Sequence, residues 1–106
     1  MPVLKSSPTL ADIQKYVIEL EKERGFTDFS VLQQCLMLGE EVGELFKAVR
    51  KSQAKMGYAT KGYNANPAEE IADILIMLCA VANRLGVDIE SAFRDKEALN
   101  HERVWR

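Results

Sequence analysis

The sequence predicts an all-α fold of four helices, and three observations carry that prediction. Four stretches repeat apolar residues at spacings of three and four, the signature of a helix with one buried face. Each stretch opens at a residue able to cap a helix: Thr9, Ser30, Asn66 and Asp88. Glycines close two of them, Gly25 and Gly86, where a left-handed C-terminal residue is expected. At 106 residues and 47% hydrophobic, the chain is long enough for a core and fits one compact domain, 1–106.

Residues 1–8 read as a loose arm. In the first helix, Thr9 caps, Asp12 takes the third helical position, and Leu10, Ile13, Val17 and Leu20 repeat up to Gly25. Ser30-Val31-Leu32-Gln33 is a capping box opening the second helix. Its expected core stripe is Leu38, Val42, Leu45, Phe46 and Val49. Gly39 and Gly43 weaken that helix, so each implies a close backbone approach or room for a ligand. Residues 52–66 show no period, and a loop this long in a small domain is usually functional. Its Lys55, Lys61, Tyr58 and Tyr63 could meet a phosphate and a base. The third helix opens with Asn66 as cap, Pro67 at its first position and Glu69 at its third. Its expected core stripe is Ile71, Ile74, Leu75, Leu78, Ala82 and Leu85. Because Ala72, Ile76, Cys79 and Ala80 make the other side apolar too, a subunit interface is expected. Asp88 caps the fourth helix, Ile89 to about Glu102, on which Lys96, Asn100 and Arg103 share a face suited to phosphate oxygens.

The chemistry concentrates in four acids. Glu41 and Glu44 stand three apart on the second helix, Glu70 and Asp73 three apart on the third. Residues three apart on a helix are neighbours. Two like charges ~5 Å apart at an effective dielectric of ~20 repel by about 3 kcal/mol. Four together therefore require protons, water or a cation, and an all-carboxylate cage is hard-cation chemistry. Asp73 is the only acidic or basic side chain from 71 through 83, and an acid in so apolar a run needs a partner, a raised pKa or a metal. The helical wheel turns Glu41 and Glu44 inward and leaves Glu40, 100° away from Glu41, beside the site or in solvent. If the two helices run antiparallel, the pairs differ in height by only ~6 Å, so they can meet.

The remaining signals narrow the class. A net charge of −2 offers no field for nucleic acid. The start, Met1-Pro2-Val3-Leu4-Lys5, lacks an apolar signal region, and Asp73 interrupts a run already too short to span a membrane, so a cytoplasmic location is expected. Cys35 and Cys79 lack paired spacing and read as small buried hydrophobes. His101 reads as surface, and Trp105 as an anchor for the C-terminus.

The order Glu41-Val42-Gly43-Glu44, a spacer, then Glu70-Ile71-Ala72-Asp73, with Lys96, Asn100 and Arg103 following, resembles the MazG-type nucleotide pyrophosphohydrolases. The flanks match as well, Glu-Glu-Val-Gly-Glu-Leu before and Ala-Asp-Ile-Leu after, so the resemblance covers roughly Gln33 to Arg103. It implies a four-helix, bundle-like domain assembling as a homodimer or as a dimer of dimers, a homotetramer. It implies hydrolysis of nucleoside triphosphates to monophosphate and pyrophosphate, with Glu41, Glu44, Glu70 and Asp73 as catalytic metal ligands for Mg²⁺ or Mn²⁺. Lys96, Asn100, Arg103, Lys55 and Lys61 would then bind substrate. The chain carries one copy of the motif set, unlike the longer two-domain members. Two other readings stand beside this one, a non-enzymatic helical interaction module and a phosphoribosyl-ATP-type pyrophosphohydrolase. A di-iron bundle is disfavoured, because it needs Glu-x-x-His and the one histidine is far from both pairs.

Overall fold

The computed structural model describes residues 1–53 and 66–103. Over these the chain is all-α: α1 is Leu10–Arg24, α2 Val31–Ser52, α3 Pro67–Leu85 and α4 Ile89–His101, with no strand among the described residues. Lys55, Lys61, Tyr58, Tyr63 and Trp105 lie outside the described residues. No described helix is long and apolar enough to cross a membrane.

The helix ends are set by local chemistry. Thr9 and Ser30 each close a full capping box, with Asp12 and Gln33 reaching back to the cap N–H groups. Asp12 also meets Lys5 at 3.1 Å, and these bonds, led by the Thr9 N–H, hold its carboxyl at about 2 instead of 3.8. Asp88 accepts from the Ser91 N–H at 2.9 Å, which lowers its pKa. Gly25 (φ 75°) and Gly86 (φ 67°) take the left-handed conformation, and Phe26 and Val87 then donate 2.9 Å bonds back to Glu21 O and Ala82 O.

Two compact units divide the chain. The first joins residues 1–29 to 79–106, so that α1, the end of α3 and α4 fold together. Val17 and Leu20 of α1 and Cys79, Ala80, Val81 and Ala82 of α3 are buried. Two polar clusters fix their relative height. Gln14, 7% exposed, donates to Asn83 Oδ1 and Val87 O and accepts from the Ile89 N–H, while Asn83 donates back to Gln14 O. Arg84 spends its whole guanidinium fork: Nε to Phe29 O, Nη1 to Glu21 and Ala80 O, Nη2 to Phe26 O and Glu21. Neither cluster was singled out from the sequence, because the partners are 55 to 75 residues apart and mostly backbone oxygens.

The second unit, residues 30–78, holds α2 and the first part of α3. Its apolar stripes differ from the expectation. Phe46 and Val49 on α2 are 69% and 43% exposed, and Ile71, Leu75 and Leu78 on α3 are exposed as well. The inward stripe of α2 is Gln34, Leu38, Glu41, Leu45 and Ala48, a heptad-like alternation of four and three. A wheel built on apolar residues alone tilts toward Phe46 and Val49, and two polar residues in the true stripe displaced it. Cys79 is buried and Cys35 exposed, so the first matches a small buried hydrophobe and the second does not. A Cβ on Gly39 or Gly43 would meet nothing within 4 Å, so no described part of this chain presses on either.

Candidate functional site

α2 and α3 bring three acids of the second unit together. Glu41 on α2 and Glu70 and Asp73 on α3 can each offer one carboxylate oxygen, all within 4.8 Å of one another. The i, i+3 spacing puts Glu70 and Asp73 on one face of α3, and the stripe Gln34–Leu38–Glu41 turns Glu41 inward. The fourth acid, Glu44, is exposed and outside this trio. It is close enough for its charge to act on Glu41. Glu40 is exposed.

The electrostatics are those of a crowded anionic site. Glu41 has its pKa raised above 4.5, first by loss of hydration on burial, then by the charges of Asp73, Glu70 and Glu44 and a hydrogen bond with Glu70. Among the described residues, this is the one group of three or more acids, histidines or cysteines close enough to share an ion. Three oxygen donors with no nitrogen or sulfur suit a hard divalent cation that keeps part of its water shell. A cation would also offset the repulsion that, after burial, raises the pKa of Glu41.

The phosphate-binding candidates of α4 belong to the first unit. Asn100 and Arg103 line a surface groove with Glu97 and His101, and the Asn100 amide donates to Glu97 at 3.3 Å. Lys96 is exposed on the same helix. His101 is exposed too.

The chain is similar to known proteins over most of its length. It is 34% identical over 101 residues to a dATP/dGTP diphosphohydrolase of Salmonella phage PMBT28, covering 95% of this chain and 29% of that protein. It is 36% identical over 100 residues to the dCTP pyrophosphatase 1 of Rattus norvegicus and 34% identical over 102 residues to that of Homo sapiens. Each of these two matches covers 91% of this chain and 59% of the relative, so the chain spans well under two thirds of these relatives' length. The family model for the MazG nucleotide pyrophosphohydrolase domain matches residues 29–103, from the turn before α2 to the last described residue. That stretch contains both acid pairs and the α4 face, and with it the chain belongs to the MazG nucleotide pyrophosphohydrolase family.

Proposed function

We propose that this chain hydrolyses (deoxy)nucleoside triphosphates to the monophosphate and pyrophosphate, as an enzyme that removes unwanted nucleotides from the pool. The observation that carries the reading is the trio Glu41, Glu70 and Asp73, held within 4.8 Å on two helices of a MazG domain. The relatives named for dATP/dGTP and dCTP hydrolysis support the substrate class.

Glu41, Glu70 and Asp73 would hold Mg²⁺ (or Mn²⁺), with Glu44, whose charge acts on Glu41, as the proposed fourth ligand. When bound, the ion supplies neutralisation of the triphosphate and acidification of a coordinated water. The carboxylates do the rest. Ionised, they would be the groups that hold such an ion. One of them accepts the proton of the attacking water as its oxygen bonds to the α-phosphorus and the bond to the bridging α–β oxygen breaks. Lys96, Asn100 and Arg103 would offset charge on the departing pyrophosphate, with Lys55 and Lys61 as further phosphate partners. The exposed apolar residues of α2 and α3 fit the homodimer or homotetramer that the third helix's composition calls for.

The test is incubation with each common nucleoside triphosphate and Mg²⁺, reading pyrophosphate and monophosphate release. Monophosphate and pyrophosphate in equal amounts are expected. Orthophosphate release, or no turnover of any nucleotide, would sink the reading.

A further inference from the structure

Gln34 is the buried polar side chain of α2 that the chemistry above leaves unused. It is 2% exposed, and its Oε1 has no hydrogen-bond partner among the described residues. Buried carboxamides are ordinarily paired, because an acceptor shut away from water without a donor destabilises the fold. The other buried carboxamide among the described residues obeys that rule: Gln14 engages both its oxygen and its nitrogen. Gln34 therefore calls for an explanation that Gln14 does not.

Its position supplies one. Gln34 and Glu41 both lie in the second unit and on one stripe of α2. Seven residues return to within about 20° of the same direction and rise about 10 Å. A nucleotide whose phosphates are held at Glu41, and which runs extended along α2 toward its N-terminus, brings its base to the level of Gln34. We propose that Gln34 reads the base, resting on the nucleotide hydrolase reading above. Its unpaired Oε1 accepts from the exocyclic amino group of adenine or cytosine. Guanine and thymine present a carbonyl at the corresponding ring position and leave the acceptor unpaired, and a site with an unpaired buried polar group rejects the ligand that fails to pair it. The side chains covering Gln34 turn aside as the base enters, a rotamer change of the kind that binding commonly brings.

The experiment compares the wild type with Gln34→Met, which keeps the length and removes the amide. Two quantities are read for each base: kcat/KM for the four deoxynucleoside triphosphates, and the Kd of the four monophosphates by calorimetry. The wild type is expected to favour the adenine and cytosine nucleotides. Gln34→Met is expected to lose that preference by about tenfold or more, the scale of one hydrogen bond, with an unchanged or higher Tm. A wild type that favours guanine or thymine nucleotides overturns the assignment, and so does a preference that survives the substitution. If no triphosphate is turned over, the hydrolase reading falls, while the monophosphate affinities still decide the role of Gln34. Should Gln34→Met fail to fold, the wild-type ranking of the monophosphates decides alone.

Discussion

At the scale of single residues, the neighbours Glu40 and Glu41 are the sharpest contrast. They differ by 100° around α2, and only Glu41 meets Glu70 and Asp73. Glu41→Gln keeps the volume and removes a charge from the trio, so activity should fall by about 10²-fold or more. Glu40→Gln should retain most of it. Pyrophosphate release from the two variants checks this, and a dead Glu40→Gln beside an active Glu41→Gln would refute the placement. The same residue sets a pH dependence. Its pKa is raised in the folded chain, so the folded state binds a proton that the unfolded state has released above about 4.5. Stability from this group is fully present below that value and is lost as pH rises through the raised pKa. The metal-free protein should show Tm falling over that window, and Glu41→Gln should flatten the slope. A Tm profile identical in both would count against the crowded trio.

At the scale of elements, Arg84 ties the end of α3, beside its buried Cys79–Ala82 core, to three segments. Its guanidinium holds α1 through Glu21, the 26–29 turn through two carbonyls, and its own helix through Ala80 O. The pair with Glu21 is largely withdrawn from water, at 15% and 10% exposure. Arg84→Met leaves Glu21 buried and unpaired and strands the Phe26 and Phe29 carbonyls, which should cost about 3 kcal/mol or more. Replacing Glu21 by Gln as well should recover part of the loss. Denaturant unfolding of the wild type and the two variants reads this out, and an Arg84→Met variant as stable as the wild type would disprove the staple.

At the scale of the whole molecule, apolar surface and anionic charge each call for a partner. Leu36, Phe46, Ile71 and Phe93 are each more than half exposed, and α4 buries none of its residues. We propose that this surface forms an interface between copies of the chain. Sedimentation at micromolar concentration should give a dimer or tetramer, and a clean monomer would sink that proposal. The cation is tested separately. Mg²⁺ or Mn²⁺ binding only the folded chain should raise Tm, and Asp73→Asn should abolish the rise while leaving metal-free Tm unchanged or higher, since it removes a charge from the trio. No shift at millimolar Mg²⁺ in the wild type would count strongly against the cage.

The sequence by itself determined what depends on neighbours along the chain. The helix limits followed from Thr9, Ser30, Gly25, Gly86 and Asp88, because a cap is a bond to a residue three or four away. Glu41, Glu70 and Asp73 were legible as one group, because like charges at helical spacing inside apolar runs have few other uses. Only the tertiary structure decided the rest of the inward stripe of α2: Gln34 joins Glu41 on it while Phe46 and Val49 are exposed, and Glu44 is left outside the trio. It also decided how Gln14 and Arg84 are satisfied. Their partners are backbone oxygens brought close by folding, and a carbonyl leaves no mark in the sequence to say which side chain will reach it.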